Sequence, residues 1–343
     1  VNTPNPTRTP REGQQEPFAA YLLAYFLDEG QPDGEQIRLA VSSGIEPVEW
    51  TPLEQGRPLL TSAIGERGVR DPFLIRDVHR NRFIMLATDL CTWPLHDWER
   101  AVRTGSRSII VWESADLIHW SEPWSAEVAP PEAGNAWAPK AFWSEERQAW
   151  LVFWASAIFS SGDRTRREYQ RILFSETTDF RSFEQAHVYQ DEGHDVIDTT
   201  FLHHGTFWYR FSANSLSTPR RFGRGDHILM ERGNSLEDTQ FVIVAEDVGR
   251  NVLERGEGPA VVAAIDAPRW YLLIDEFGLR GYQLFATDNL DSGAWRCLPA
   301  AKLPPGARHG SIIAITSAEH ALLTESIISQ GASAPGPAQQ KPR

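Results

Sequence analysis

Three acidic residues stand at the heads of short apolar segments. They are Asp71 in Asp71-Pro72-Phe73-Leu74-Ile75, Asp198 in Ile197-Asp198-Thr199-Thr200-Phe201, and Glu257 in Glu257-Gly258-Pro259-Ala260-Val261. Two further segments of this kind carry Lys140, in Ala138-Pro139-Lys140-Ala141-Phe142, and His309, in His309-Gly310-Ser311-Ile312-Ile313. An Asp or Glu before Pro or Gly often does no more than cap a turn. Three of them at equivalent places in a repeat are harder to explain that way, because gathering like charges costs free energy that a structural role seldom requires. Paired carboxylates are the apparatus of glycosidic bond cleavage. One must stay protonated as an acid, helped by burial and mutual repulsion, while another stays ionised to activate water. The residues are remote from one another in the chain, so only the fold can bring them together.

The elements that position them form a repeat of about 60 residues, a period typical of arrays and propellers. Each of the first four segments is followed by a second apolar strand: Phe83 to Thr88, Trp150 to Ala155, Phe207 to Phe211, and Trp270 to Ile274. A third strand comes next, at Ser108 to Ser114, Arg171 to Ser175, His227 to Glu231, and Tyr282 to Thr287. A polar turn and an aromatic follow, as in Ser114 to Trp120. Each unit therefore reads as four antiparallel strands, one propeller blade. The fifth unit has only His309 to Ile315, and its missing strands are at the other end of the chain, at Tyr21 to Phe26, Ile37 to Ser42 and Trp50 to Leu53. The pattern predicts an all-β, five-bladed β-propeller whose last blade is closed by N-terminal strands plus one C-terminal strand, which removes an exposed sheet edge. Residues 18–325 form this single domain, between flexible segments at 1–17 and 326–343, with no room for long helices. A pair of β-sandwiches is the alternative, but it explains neither the repeat nor the split unit.

Composition narrows the functions. The 343 residues include 33 Lys or Arg and 46 Asp or Glu, a net charge of −13. That excludes a partner such as duplex nucleic acid, whose binders need a basic face. No apolar run reaches the roughly 18–20 residues of a membrane span. Cys91 and Cys297 are too few for a disulfide framework and read as unpaired core thiols, with one bridge as the alternative. Of the 13 Trp, Trp50, Trp120 and Trp295 recur at one step of the repeat, so they are assigned to packing between blades. No secretory leader is visible at Val1. The expectation is a secreted monomer whose leader has been removed, with a cytoplasmic location as the alternative.

Taken together, Val69-Arg70-Asp71-Pro72, Trp137-Ala138-Pro139, Val196-Ile197-Asp198-Thr199, Glu257-Gly258-Pro259 and Arg308-His309-Gly310 resemble glycoside hydrolase family 43. The resemblance covers about residues 18–325. It implies a five-bladed propeller and an inverting enzyme of the arabinanase, arabinofuranosidase and xylosidase group. Gly68 to Ile75, Gly105 to Trp120 and Phe277 to Tyr282 look most like a branch of exo-acting 1,5-α-L-arabinofuranosidases, so the implied partner is a plant cell-wall oligosaccharide or polysaccharide. By this resemblance Asp71 matches the general base, Asp198 the acid that orients the catalytic acid and modulates its pKa, and Glu257 the general acid. Asp71 and Glu257 are then expected roughly 6.5–9.5 Å apart, leaving room for the attacking water. Glu254 is a weaker competitor for the acid. Trp137 resembles a sugar-stacking wall, with core packing as the alternative, and Arg280 and Arg70 resemble substrate contacts, with a surface ion pair as the alternative for Arg280. His309 matches a channel histidine that in many relatives helps hold a structural calcium ion, and a hydrogen-bonded channel histidine with no metal is the alternative. No cofactor is required for the chemistry.

Two features depart from the family pattern. Relatives tend to carry an acid where Lys140 stands, and a cation there would keep nearby carboxylates ionised or contact a substrate hydroxyl. The loop Cys91-Thr92-Trp93-Pro94-Leu95-His96-Asp97-Trp98 could narrow the pocket mouth. A β-xylosidase is the alternative within the family. A fructan-cleaving enzyme shares the Arg-Asp-Pro motif but lacks its other signatures here. A non-catalytic glycan-binding propeller is the reading from a different class.

Overall fold

The computed structural model describes residues 16–160, 162–214 and 227–331. Its strands, in chain order, begin with β1 (Phe18–Phe26), β2 (Arg38–Ser42) and β3 (Trp50–Pro52). Blade one follows as β4 (Val69–Asp77), β5 (Arg82–Asp89), β6 (Ser108–Ser114) and β7 (Trp124–Glu127). Blade two is β8 (Trp137–Ser144), β9 (Ala149–Ala157), β10 (Gln170–Thr177) and β11 (His187–Gln190). Blade three is β12 (Val196–His204), β13 (Phe207–Asn214), β14 (His227–Gly233) and β15 (Val242–Val248). Blade four is β16 (Glu257–Ala263), β17 (Trp270–Glu276), β18 (Gly281–Thr287) and β19 (Arg296–Cys297). The last strand, β20 (Arg308–Thr316), pairs with β1, so blade five has the order β20-β1-β2-β3. The protein is a five-bladed β-propeller closed by both ends of the chain.

The cores lie between blades. Side chains alternate across each strand, and both faces of the middle strands are buried. In β9, Trp150, Val152 and Trp154 pack toward blade one, while Leu151, Phe153 and Ala155 pack toward blade three. Five such clusters fill the five blade interfaces. Trp50, Trp120 and Trp295 each sit in one of them, against the preceding blade. Cys91 and Cys297 are both free thiols.

Two helices stand outside this scheme. A short one, α1 (Trp98–Thr104), joins β5 to β6, with Asp97 as its cap accepting from the Arg100 amide at 3.0 Å. The other, α2 (Ser317–Gly331), corrects the expectation that long helices have no room. It continues past residue 325, where the domain was expected to end. It starts on a reciprocal cap, in which Glu319 accepts from the Thr316 amide and the Thr316 hydroxyl accepts from the Glu319 amide. Arg76 of β4 grips Glu319 with both terminal guanidinium nitrogens, and Leu323 is buried at the seam of blades five and one. The remaining terminal residues of the expected flexible ends, 1–15 and 332–343, lie outside the described residues. Among the described residues no helix is long and apolar enough to cross a membrane.

Candidate active site

Every innermost strand carries a bulge near its start, where two residues face one on the partner strand. The pairs are Asp71-Pro72, Ala138-Pro139, Asp198-Thr199, Gly258-Pro259 and His309-Gly310. The bulges bend the strands and re-aim side chains into the central channel. Asp71, Ala138, Asp198 and Gly258 have positive φ of 54°, 51°, 57° and 57°, a region that Gly and Asp tolerate best. Pro is accepted at three of the second positions because a bulge residue has no ladder hydrogen bond to lose.

This register corrects the alignment of blade starts drawn from the sequence. The equivalent residues are Asp71, Ala138, Asp198, Gly258 and His309. Glu257 is one residue earlier, level with Arg70, Trp137, Ile197 and Arg308, and these five form a rim above the inner ring. Lys140 is two residues later, so it lies below the acids. It is 2% exposed, its ammonium is 5.2 Å from the centre of the Phe73 ring, and it does not line the cavity. Lys140 is therefore a buried amine near Asp71 and Asp198, its pKa lowered by burial against the pull of those two groups, and not the substrate contact expected of it.

The rim and inner ring surround a cavity of about 800 Å³ at the channel mouth. Arg70, Trp137, Ile197, Glu257 and Arg308 line it above, and Asp71, Asp198 and His309 below. His96 and Trp98 form one lip, and the turn Phe277 to Gly281, including Arg280, forms another. Glu254 does not line it; its amide donates to Glu276.

The imidazole of His309 organises the charges. Its Nε2 lies 2.8 Å from Asp71 Oδ1 and its Nδ1 2.8 Å from Asp275 Oδ2, with Glu257 3.6 Å from Nδ1. Burial opposes a charge on the ring, but the Asp198 charge and the bonds to Asp275 and Asp71 push its pKa up to about 10. It is thus an imidazolium donating to both aspartates. Burial would raise the Asp71 pKa, yet the bond and charge of His309, the charge of Arg70 and the Thr88 hydroxyl hold it well below the usual range. Thr88 donates to Asp71 Oδ2 at 2.5 Å and accepts from the Ala138 amide at 2.7 Å, which ties blade one to blade two.

Glu257 behaves oppositely. Burial pushes its pKa up to about 7; His309 and Arg308 oppose the rise, and Asp198 and Asp275 add to it. Arg308 bridges Glu257 at 2.7 Å and Asp275 at 2.6 Å. Burial and the Asp71 charge also raise the Asp198 pKa, against His309, Lys140 and the Gly258 amide, which donates at 2.9 Å. Gly258 has no substitute here, since a Cβ would fall 2.0 Å from His309 Cβ.

Arg70 is held by Glu35 at 3.0 Å and Glu29 at 3.3 Å, with Phe26 and Trp98 against its guanidinium. Buried Glu35 also accepts from the Thr92 and Trp93 amides, which fastens the Trp98 lip to Arg70. Trp137 meets Trp98 edge-on at 6.2 Å between ring centres. Arg280 pairs with Glu276 and donates to the Val252 carbonyl at 2.9 Å, leaving about half of its side chain in solvent. Asp275, Glu35 and Thr88 were missed by sequence reasoning, which placed Arg308 in a motif but gave it no role.

A structural calcium does not fit the described side chains. Glu257, Asp275 and His309 bring ligand atoms within 4.8 Å of one another, and Asp275 Oδ1 has no partner among the described residues. Calcium takes six to eight oxygens. Here both ring nitrogens face carboxylates and the Arg308 guanidinium bridges the two acids. The protein's own cations supply the positive charge.

Comparison with known proteins follows the same line. The glycosyl hydrolase 43-related family model, described as a probable glycosyl hydrolase domain, matches residues 16–321. The chain belongs to this family. It is an enzyme of the glycoside hydrolase type. An α-L-arabinofuranosidase of Bifidobacterium longum subsp. longum is 26% identical over 301 residues, 78% of this chain. The chain spans only 28% of that relative's length. An exo-1,5-α-L-arabinanase from a bovine ruminal metagenomic library is 11% identical and has a similar fold, with a TM-score of 0.53 over 81% of this chain and 93% of that one.

Proposed function

We propose that this domain hydrolyses α-L-arabinofuranosyl linkages with inversion, taking single arabinose residues from α-1,5-linked arabinan or its oligosaccharides. The reading rests on two carboxylates of one cavity held in opposite states, Asp71 ionised and Glu257 with a pKa near 7. Asp71 takes a proton from the water that attacks the anomeric carbon. Glu257 gives its proton to the departing oxygen, and Asp198 raises the proton affinity of Glu257 through its nearby charge. Oppositely tuned acid and base are what single displacement needs. Asp71 and Glu257 stand at the two nitrogens of His309, 2.8 Å from Nε2 and 3.6 Å from Nδ1. The names of the arabinose-acting relatives support the sugar.

The test is Glu257→Gln, with α-1,5-arabino-oligosaccharides as substrate and the anomer of the released sugar followed by NMR. Loss of the general acid is expected to lower kcat by about 10²–10⁴. The wild type is expected to release the inverted anomer of arabinose first. Unchanged turnover sinks the role of Glu257, and release of the retained anomer sinks the mechanism. Release of xylose from xylo-oligosaccharides, with arabinan untouched, moves the assignment to a β-xylosidase.

A further inference from the structure

Beside the channel mouth lies a second cavity of about 420 Å³, within the range of small-molecule sites. It shares Trp137, Ile197 and Glu257 with the first, whereas Asp71 and Asp198 line only the first. Its floor is apolar, from Phe159, Ala213 and Val102. Its walls are α1 and the connection from β9 to β10. Arg103 of α1 locks them together by donating to the carbonyls of Arg164 at 2.7 Å and Arg166 at 2.6 Å.

We propose that this second cavity receives the leaving sugar residue, so that the scissile bond passes beside Glu257 from one cavity to the other. The inference rests on the catalytic reading given above. In a single displacement, water and leaving group occupy opposite sides of the anomeric carbon. Asp71 marks the water side and Glu257 the departing side, and of the three acids only Glu257 borders both spaces. Trp137, partly exposed where the two cavities meet, offers its ring to the C–H face of a sugar. The polar groups around it are paired, Arg103 with Glu99 at 2.9 Å and Arg167 with Asp195 at 3.6 Å, and the cavity has no surplus of cations. The occupant is therefore a neutral sugar and not a uronic acid.

The experiment compares two substrates on the whole protein: an α-1,5-arabino-oligosaccharide, whose leaving group is a sugar, and α-L-arabinofuranosyl fluoride, whose leaving group is one atom. Val102→Trp fills the second cavity. It is expected to lower the ratio of kcat/KM on the oligosaccharide to kcat/KM on the fluoride about tenfold. Glu99→Trp, at a side chain 81% exposed, gives the same reading without disturbing the core. A ratio within twofold of the wild type in both variants overturns the subsite. A wild-type protein inert on the fluoride overturns the catalytic reading instead, and the subsite with it.

Discussion

Arg308→Met isolates the tuning of the proposed acid. The guanidinium touches Glu257 at 2.7 Å and Asp275 at 2.6 Å. Its bond to Glu257 favours the ionised carboxylate, so its removal favours the protonated one. A hydrogen bond to a charged group contributes roughly 1.5–3 kcal/mol, and one pKa unit corresponds to about 1.4 kcal/mol. The Glu257 pKa should therefore climb by about one to two units. Asp275, less neutralised once Arg308 is gone, repels the Glu257 carboxylate more strongly and pushes the same way. Because Glu257 must carry its proton, activity in the wild type falls as pH rises through about 7. In the variant this alkaline limb moves to about 8–9. The assay is kcat/KM on an arabino-oligosaccharide across pH, read by the position of the limb and not by its height, since Arg308 also lines the cavity. A limb that stays at 7 or moves down refutes the tuning argument.

Two other perturbations test the supports of the site. Thr88→Val leaves the Ala138 amide and Asp71 Oδ2 each short of a partner. It is expected to cost about 1–3 kcal/mol in denaturant unfolding and to move the acid limb of kcat/KM upward, because Asp71 loses a donor to its ionised form. Gly258→Ala combines positive φ with a Cβ 2.0 Å from His309; overpacking and left-handed strain predict about 2–5 kcal/mol of destabilisation, and an unchanged melting temperature would contradict it.

Much of the fold was legible because a blade is a local unit: three or four apolar strands with a polar turn and an aromatic, written repeatedly. The split fifth blade followed from counting strands at the two ends. The positions of Asp71, Asp198 and Glu257 at one mouth followed from the same repeat. Their register did not, because a bulge adds a residue without changing the apolar pattern. The signal was nonetheless present. Aligning Pro72, Pro139 and Pro259 sets Asp71 level with Ala138 and Gly258, and places Glu257 on the rim and Lys140 below. Asp275 belongs to no motif and becomes visible only as the cross-strand partner of Glu257, as Thr88 is of Arg70. Glu35 acts through the Thr92 and Trp93 backbone, a contact that no pattern of side chains records. The helix α2 had its own marker in Thr316-Ser317-Ala318-Glu319, which reads as a capping sequence.

The pairing of β20 with β1 also sets the order in which the channel can become electrically complete. During synthesis Asp71, Asp198, Glu257 and Asp275 all emerge before Arg308 and His309, the cations that pair with Asp71, Glu257 and Asp275. A chain that ends before β20 carries these acids without Arg308 and His309. The last strand delivers the two missing charges and the seam of the ring in one step. Closure of the propeller and charge pairing of the proposed acid and base both need β20, so a chain stalled short of it has neither.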